Sequence, residues 1–575
     1  MTRDTAAGGN GERARGTAAG PPPGDVSPAN GGAARPSLLR SGTVMAVGTT
    51  VSRVTGFGRT VVLAAALGTQ LLGDAYNTAN TIPFVVYDLL IGGLMASVIV
   101  PFLVRRRKHD ADGGRATEQR LFTVAVGGLL ALTAVAVLAA EPLIGLYAGR
   151  FTTAQSEVAV LFARFLLAQI LFIGVSGLSS AMLNTRGRFG APVWAPVLNN
   201  LVISGVATVF LVVAGPGRTP ETITDGQIAL LGIGTACGMV VQAAVVQCAL
   251  WASGFRWRPR LDLRGSGLDE ALRAAGWMLV LVCTMQAGFL ITANLANRAG
   301  VAAATRGADV GAGLTAYNYA YQLFQVPYAI IGVSVITVLL PRMSAHAADR
   351  DWGHVRGDFS HGLRTASTLL VPIALVLAVC ATPLCIAVFA RGSTSVGDAR
   401  VIGGVLTVFA LGLIPFAAYQ LMLRVFYATG DTRTPALISI ANVTVHGSAG
   451  LAAYLLLASH QVVMGIAAGF MFSYVCGLVL GGAVLSRRLG GVDGRRIIST
   501  LVRLYIAALP AAAVVVGAQR LGGSVLGDGP VAVVGAILAG CALGAPLFLA
   551  AGRLLRLSEI RDLGETVRTR VFRRG

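Results

Sequence analysis

The sequence predicts an all-α polytopic membrane protein with about fourteen transmembrane helices, and three observations lead to this prediction. First, 54% of the 575 residues are hydrophobic and only 13% are charged, whereas soluble domains carry about 25% charged residues. Second, apolar stretches recur along the chain, each long enough for the roughly 20 residues that cross a bilayer. Third, these stretches are continuous, unlike the alternating ten-residue strands of a membrane barrel.

The predicted spans follow one another with short connections, so the sequence predicts no sizeable domain outside the membrane. In chain order they cover residues 42–67, 79–104, 120–148, 157–183, 191–214, 227–252, 268–298, 312–341, 365–390, 401–427, 435–458, 462–486, 498–519 and 529–555. Residues 1–40 are rich in Gly, Pro and Ala and have too few large apolar residues to bury a core, which predicts a disordered cytoplasmic tail. Residues 556–575 form a second, basic tail.

The distribution of basic residues predicts the orientation, because cytoplasmic loops retain arginine and lysine. With the N-terminus inside, the inner tails, loops and adjoining helix ends hold 36 of the 46 basic residues, including the RRRK run at 105–108. The other ten lie in outer loops or inside spans. The sequence therefore predicts a multi-pass protein of the cell membrane with both termini in the cytoplasm, as an even number of spans requires.

The chain also contains an internal repeat. The segment LNTRGRFGAPVWAPVLNN aligns with FYATGDTRTPALISIANV at an offset of 243, which superposes Gly187 on Gly430, Pro192 on Pro435 and Asn199 on Asn442. Separately, Ile82-Pro83-Phe84 matches Val326-Pro327-Tyr328 at an offset of 244. An even number of spans separates the copies, so both halves keep the same orientation, as in parallel-repeat transporters that bind substrate between their halves.

Catalytic and cofactor chemistry find no support in the sequence. The six histidines are scattered, and no phosphate-cradling glycine loop is present, so we expect no metal, no nucleotide cofactor and no enzymatic activity. The seven cysteines fall inside apolar segments without metal-ligand spacing, which predicts small buried apolar side chains. The net charge of +20 is spread over short loops rather than a basic domain, which argues against a nucleic-acid partner.

Charges inside spans are the informative residues, because an arginine at the centre of a span costs about 2.5–3.5 kcal/mol on insertion scales. Arg53 and Arg59 both lie in the first span, in SRVTGFGRT. Six residues place them about 120° apart on an ideal helix, so both can border one wide cavity. Two arginine forks suit an anionic headgroup such as a diphosphate. The alternative is that they snorkel to a surface or pair with Asp88 in the second span.

Further candidates carry weaker signals. Arg164 in the fourth span and Arg298 at the end of the seventh are candidate substrate contacts, although snorkelling or ion pairing explains either one as well. Asp74, in the outer loop before the second span, is a candidate helix cap or gate residue. Asn442 and His446 are four residues apart and share a helix face. They are candidates for coupling-ion binding, and a hydrogen-bonded packing pair is the favoured interpretation.

Several segments together resemble the MurJ (MviN) family of lipid II flippases. They are SRVTGFGRTVVLAAALG, DAYNTANTIPF, LNTRGRFGAPVWAPVLNN, RVFYATGDTRTPALI and YQLFQVPYAIIGVSVITVLLPRMS, and the resemblance covers about residues 38–555. It implies the multidrug/oligosaccharidyl-lipid/polysaccharide exporter fold, with two six-helix lobes and two additional C-terminal helices. The implied boundaries are 41–255 for the N-terminal lobe, 268–490 for the C-terminal lobe and 498–555 for the last two spans.

The resemblance also implies a function. A protein of this family would be an alternating-access flippase that moves lipid II, the undecaprenyl-diphosphate-linked peptidoglycan precursor, from the cytoplasmic to the outer leaflet. This transport would serve cell-wall synthesis and cell shape. A central cationic cavity would take the headgroup while the polyprenyl tail stays in lipid. The expected partners are this polyprenyl-diphosphate-linked glycan and the bilayer, with proteins of cell-wall synthesis or division as further candidates.

Only some of the family's site residues are present at the matching positions of this sequence. Arg53, Arg59 and Asp74 fall on positions that the family uses. The basic pair usual in helix 2 is replaced by Tyr87 and Asp88, Gly92 replaces an acidic residue, and Gln322 stands where helix 8 has an arginine. Arg298 and Arg164 are then the candidates to supply the missing charge.

Three other functions remain open at this point. A flippase for another polyprenyl-linked glycan, or a drug exporter of the same superfamily, would share the fold, although drug exporters usually have twelve spans. A membrane glycosyltransferase would need catalytic acids in a sizeable outer loop, and the outer loops here are short. An inert scaffold for division proteins would leave the arginines inside the spans without a purpose.

Overall fold

The computed structural model describes residues 35–89, 103, 112–260, 276–527 and 529–561, and this part of the chain is helical with short connections and no strand. The RRRK run, nearly all of the predicted N-terminal tail and residues 562–575 lie outside the described residues. The helices are α1 Arg35–Leu67, α2 Leu71–Tyr87, α3 Arg115–Leu138, α4 Ala140–Ala148, α5 Thr153–Leu166, α6 Gln169–Thr185, α7 Gly190–Ala214, α8 Asp225–Ala252, α9 Gly276–Thr305, α10 Leu314–Pro327, α11 Val333–Ala348, α12 Trp352–Phe389, α13 Val396–Leu411, α14 Leu413–Ala428, α15 Arg433–Leu456, α16 Val462–Leu489, α17 Gly494–Leu526 and α18 Pro530–Leu554.

These helices confirm the predicted fold class, and the count of fourteen spans is approximate. In the described residues, eleven helical stretches are long and apolar enough to cross a membrane, or twelve when the bent pair α13–α14 counts as one span. They correspond to the third through fourteenth predicted spans. Helix α1 lies at the first predicted span but is too polar to join this group. Helix α2 begins eight residues earlier than predicted and leads towards residues outside the described part.

Several spans are broken where the sequence weakens helical hydrogen bonding. A π-helical segment, Tyr328–Gly332, separates α10 from α11 directly after Pro327, where the proline ring removes a backbone donor. Helices α13 and α14 bend by 52°. The bend occurs at Gly412, where a Cβ atom would lie 2.1 Å from Met471 Sδ. The glycine therefore allows α16 to approach the bend closely.

Helix packing divides the described chain into two groups. In the first, α1 packs on α7, α7 and α6 pack on α8, and α2 packs on α5; we call α1–α8 the N-terminal bundle. In the second, α15 packs on α16, α12 on α13, and α9 on α15; we call α9–α16 the C-terminal bundle. Helices α17 and α18 pack on each other and on α12. Helix α9 also contacts α2 and α4, so it joins the two bundles.

The predicted repeat is present in the structure. Gly187 and Gly430 both adopt a positive φ, +69° and +74°, in equivalent turns before α7 and α15, a conformation that glycine adopts without a Cβ penalty. A Cβ atom added to Gly238 would lie 2.4 Å from Asn199 Oδ1, and a Cβ atom added to Gly477 would lie 2.4 Å from Asn442 Oδ1. Each bundle thus packs an asparagine of one helix against a glycine of the next.

The tryptophans mark one end of the helices. Each is partly exposed and lies near a helix end that the charge pattern predicts to be cytoplasmic: Trp194, Trp251, Trp257, Trp277 and Trp352. Tryptophan is enriched at the interface between membrane and water. This placement indicates that these helix ends lie at a surface of the membrane.

The prediction of buried cysteines is wrong for three of the seven. Cys237, Cys248 and Cys283 are exposed on the surfaces of apolar helices, whereas Cys380 and Cys385 are buried and all seven are free thiols. The prediction assumed that an apolar side chain needs protein around it. On a membrane helix, lipid provides an apolar environment instead.

Candidate functional site

Helix α1 carries the two arginines that the sequence singled out. It is continuous through Gly56 and Gly58, so these glycines do not break the helix. Gly56 instead allows close packing: its Cβ would lie 3.4 Å from Asn200 Nδ2 on α7. That amide donates to Ser52 O and to Thr55 Oγ1, both at 3.2 Å. Helix α1 is thereby anchored to the N-terminal bundle on the face next to Arg59.

Arg59 is half-buried between the two bundles. Its Nε atom is buried and has no hydrogen-bond partner among the described residues. The Tyr76 and Tyr319 side chains, from α2 and α10, lie within electrostatic range of the guanidinium. The Tyr76 hydroxyl is itself held by Thr235 Oγ1 at 2.8 Å. Arg59 therefore has aromatic neighbours from both bundles and no carboxylate partner in the described part of the chain.

Arg53 lies one and a half turns away and is exposed. It forms no salt bridge or hydrogen bond with a described residue. The alternative pairing with Asp88 is not formed by either arginine in the described structure, because the Asp88 carboxylate accepts a hydrogen bond from Gln286 Nε2 at 3.3 Å instead. Next to Arg59, Thr60 Oγ1 donates to Gln322 Oε1 at 2.6 Å and links α1 to α10.

Asp74 belongs to a tight contact between the bundles. Its side chain is 1% exposed, and Oδ1 accepts the Thr315 backbone N–H at 2.8 Å. A Cβ at Gly313 would lie 1.7 Å from Asp74 Oδ2, and one at Gly300 would lie 2.7 Å from it. The α2 carboxylate is therefore enclosed by glycines of the C-terminal bundle. In this conformation Asp74 is a gate contact rather than an open binding residue.

Other contacts extend this closure, and we call residues 64–74, 309–315 and 391–398 the seal. Ser393 N donates to Ala65 O at 2.7 Å, and Thr394 Oγ1 donates to Ala64 O at 2.7 Å. Gly392 has a φ of +61°, and its Cβ would lie 2.3 Å from Ala65 O, so only glycine fits this approach. The loops of the C-terminal bundle thus bond directly to the end of α1.

The two weaker arginines lie apart from the α1 pair. Arg298 packs near the turn between α4 and α5, and a Cβ atom added to Gly149 in this turn would lie 2.7 Å from Arg298 Nε. This Nε atom is buried and has no hydrogen-bond partner among the described residues. Arg164 is exposed on α5 and has no salt bridge to a described residue. The structure does not bring either one together with Arg53 and Arg59.

Asn442 and His446 lie inside the C-terminal bundle. His446 Nε2 and Thr292 Oγ1 share a hydrogen bond of 2.7 Å, and the His446 ring packs on Phe470 with centroids 5.4 Å apart. Each residue also leaves one buried atom without a described partner, Asn442 Oδ1 and His446 Nδ1. The hydrogen bond agrees with a packing role, and the two free acceptors keep ion binding as a hypothesis.

Arg424 is a candidate that the sequence analysis overlooked, because it was counted among the basic residues of the inner helix ends. It is half-buried on α14, its Nε is buried without a described partner, and its guanidinium lies 5.7 Å from the Tyr427 ring centroid. Its signal in the sequence is a single arginine flanked by tyrosines in the apolar segment LIPFAAYQLMLRVFYA.

Relatives of this chain are found among known proteins. A sequence profile of the family described as lipid II flippase MurJ matches residues 63–526. The lipid II flippase MurJ of Burkholderia cenocepacia is 27% identical over 421 residues, which cover 71% of this chain and 77% of that protein. The probable lipid II flippase MurJ of Rhizobium meliloti is 28% identical over 433 residues, which cover 74% of this chain and 77% of that protein.

Solved structures share the fold. A lipid II flippase MurJ in an inward closed conformation superposes with a TM-score of 0.71 at 18% identity, over 91% of this chain and 99% of that chain. An inward-facing multidrug resistance transporter of the MATE family superposes with a TM-score of 0.59 at 16% identity, over 77% of this chain and 98% of that chain. At such identities the likeness concerns the fold alone. The sequence profile, however, runs from within α1 to the end of α17, and on that ground the chain belongs to the MurJ family of lipid II flippases.

Proposed function

We propose that this protein moves lipid II from the cytoplasmic to the outer leaflet of the cell membrane. Family membership supports the substrate class. The observation that carries the proposal is the arginine pair of α1. Arg59 is half-buried between the bundles and Arg53 is exposed on the same helix, and neither has a carboxylate partner among the described residues. Such charges are costly in lipid, and an anionic diphosphate headgroup would supply the missing counter-charge.

The orientation is part of the proposal. The 36 inner basic residues support cytoplasmic termini. The seal then lies at the outer face, and the structure is closed to the outside. A substrate would reach Arg53 and Arg59 from the cytoplasmic side or laterally from the inner leaflet.

Transport then requires the seal to open. The N-terminal bundle moves against the C-terminal bundle, and Asp74 leaves its pocket of glycines while the opposite end closes behind the bound headgroup. The headgroup travels with the arginines, and the polyprenyl tail stays in lipid. We propose transport without chemical conversion of the substrate, with the lobe boundaries of the sequence analysis, 41–255 and 268–490, as the moving units.

A drug exporter of the same fold is the second candidate. The MATE transporter superposes on 77% of this chain, whereas the MurJ structure superposes on 91% of it. The chain also continues into α17 and α18 beyond the two bundles. These differences favour a lipid-linked substrate over a soluble drug.

The function is tested in two steps. The chain should restore growth to a bacterial strain depleted of its own lipid II flippase, and the depleted strain should accumulate lipid II on the cytoplasmic face. Purified protein in vesicles should then move labelled lipid II, measured as its accessibility to an enzyme added outside. Growth without any transport of lipid II, or transport of unrelated cationic drugs instead, would contradict the proposal.

A further inference from the structure

A second cationic site lies away from the arginine pair, at the end of the N-terminal bundle that we propose is cytoplasmic. It is a cavity of about 530 Å³ between the start of α3, the turn after α6 and the segment that follows α8. Five arginines line it: Arg115, Arg186, Arg256, Arg258 and Arg260. Only two carboxylates, Asp112 and Glu118, line the same cavity among the described residues.

Both carboxylates are already engaged. Glu118 forms a salt bridge with Arg186, whose side chain is 11% exposed. Arg186 also donates to Met182 O at 2.9 Å and lies 6.0 Å from the Phe255 ring centroid. Asp112 accepts the Gly114 and Ala116 backbone N–H groups at 2.9 and 2.7 Å. Glu118 therefore offsets the charge of Arg186, and Asp112 lies close enough to Arg260 to offset part of its charge. The cavity lining keeps an excess of three positive charges among the described residues.

Three of the five arginines belong to the short segment FRWRPR, residues 255–260. Arg256, Arg258 and Arg260 line the cavity, whereas Trp257 and Pro259 between them do not. This alternation is that of an extended chain, and a proline favours an extended conformation of the residue before it. None of the three arginine side chains forms a salt bridge with a described residue.

The segment is fastened to α3 on its other side. Trp257 Nε1 donates to Thr123 Oγ1 at 3.1 Å, and the Arg260 backbone N–H donates to the same oxygen at 3.2 Å. Gln119 Nε2 donates to Arg256 O at 2.9 Å, and Trp257 packs on Phe122 with ring centroids 5.5 Å apart. The backbone that carries the three arginines is thus held in position before any ligand arrives, which reduces the entropy lost on binding.

The position of the cavity indicates that its ligand is a membrane lipid. Trp251 and Trp257 are 46% and 44% exposed beside the cavity, and exposed tryptophans mark the depth of lipid headgroups. Basic pockets at this depth bind phosphate-bearing headgroups. We propose that the cavity binds the phosphate group of an anionic inner-leaflet phospholipid and so anchors the N-terminal bundle while the other bundle moves. The site is separate from Arg53 and Arg59 and does not depend on the transported substrate.

The test compares lipid binding by purified full-length variants, measured by native mass spectrometry with phosphatidylglycerol and phosphatidylcholine of identical acyl chains. The variant R256Q/R258Q/R260Q should lose its preference for phosphatidylglycerol by roughly one hundredfold, since each arginine near an anionic surface contributes about a fivefold factor. The control R487Q/R495Q/R496Q removes the same charge from exposed arginines of the α16–α17 region and should keep the preference.

Three outcomes would overturn the proposal. The first is an unchanged preference for phosphatidylglycerol in R256Q/R258Q/R260Q. The second is an equal loss of preference in the control, which would indicate an effect of general surface charge. The third is displacement of phosphatidylglycerol by millimolar inorganic phosphate, which would indicate a soluble ligand. If the glutamine variant does not fold, R256K/R258K/R260K replaces it. Lysine keeps the charge but not the planar fork, so this variant should bind phosphatidylglycerol several-fold more weakly than the wild type, and unchanged binding would count against the site.

Discussion

Arg59 shows how a single side chain connects the fold to transport. Its Nε atom is buried without a described partner, and its neighbours Tyr76 and Tyr319 belong to different bundles. Tyrosine is a neutral side chain and supplies no counter-charge. Arg59 is therefore placed to bind an anion that enters between the bundles, and the movement of either bundle changes its surroundings.

Substitution of Arg59 tests this role. We expect Arg59→Ala to reduce lipid II transport by roughly ten- to one hundredfold, because hydrogen bonds to charged groups contribute about 1.5–3 kcal/mol. Arg59→Lys should recover only part of the rate, since it keeps the charge but loses the planar fork. Transport per folded protein in vesicles is the measurement.

Controls separate substrate contact from a structural charge. Arg306→Ala removes an exposed arginine beyond the end of α9 and should leave transport unchanged. The double variant Arg59→Ala with Asp88→Asn should stay inactive at normal protein level, because Asp88 is bonded to Gln286 rather than to Arg59. Recovery of growth in this double variant would assign Arg59 to an ion pair instead.

His446 permits a second test at the same scale. If it is a packing residue, His446→Ala and Thr292→Ala should each lower the free energy of unfolding by about 1–3 kcal/mol. The double variant should then lose little more, because both substitutions remove the same 2.7 Å hydrogen bond. Thermal unfolding in detergent measures this. Loss of ion-dependent transport in His446→Ala, with Thr292→Ala active, would instead support ion coupling.

The α2–α10 contact is the critical element of the seal. A methyl group at Gly313 would lie 1.7 Å from Asp74 Oδ2, so Gly313→Ala cannot keep the closed arrangement without displacing α2. We expect this variant to favour a conformation with an open seal. Accessibility of a cysteine at Thr69, which is fully buried in the closed structure, to a membrane-impermeant reagent, in a background without the native cysteines, measures the shift.

The control for this element is Gly205→Ala on α7, because no atom lies within 4 Å of the added methyl group. It should leave labelling at position 69 unchanged. Equal labelling of the Gly313→Ala protein and the unmodified protein would show that Asp74 does not hold the seal closed.

The start of α15 gives a prediction for acid stability. Burial by itself raises the pKa of Asp431, but hydrogen bonds from Thr434 and the salt bridge with Arg488 lower it on balance. A lowered pKa stabilises the fold above the unfolded value, near 4, and this contribution is lost as the pH falls through the folded value. Asp431→Asn should therefore melt at a lower temperature than the wild type at pH 7, and the difference should shrink below about pH 4. A constant difference across this range would contradict the assignment.

At the scale of the whole molecule, transport depends on relative motion of the bundles. Gln70 Nε2 and Asp309 Oδ1 are 3.2 Å apart across the seal. Cysteines at these two positions, joined by a short reducible crosslinker, should stop lipid II transport, and reduction should restore it. The measurement is transport by the same vesicles before and after reduction.

A crosslink that does not span the seal is the matched control. Arg356 Nε and Asp493 Oδ1 are 3.3 Å apart, from α12 and the loop before α17. Cysteines joined there should leave transport unchanged, because these segments move together. Full activity with a verified crosslink across the seal would exclude alternating access.

Much of the architecture was predictable because lipid imposes a simple rule on the chain. Backbone groups in a bilayer must be satisfied within each helix, so long apolar runs and the repeat of Gly187 at Gly430 were sufficient to predict the spans and two related halves. The candidate residues Arg53 and Arg59 were also visible, since a charge in an apolar run is costly wherever the helix packs.

The sequence by itself determined the membrane class, the approximate span count and the position of the charged residues along each helix, because these depend on local composition. Only the tertiary structure decided their partners: Asp74 enclosed by Gly300 and Gly313, Asp88 bonded to Gln286 rather than to an arginine, and Arg424 left without a described partner beside Tyr427. It also assembled the cavity of Arg115, Arg186 and the 255–260 segment from three separate parts of the chain. Such partnerships depend on how distant helices pack, and packing is a property of the folded chain that local sequence does not encode.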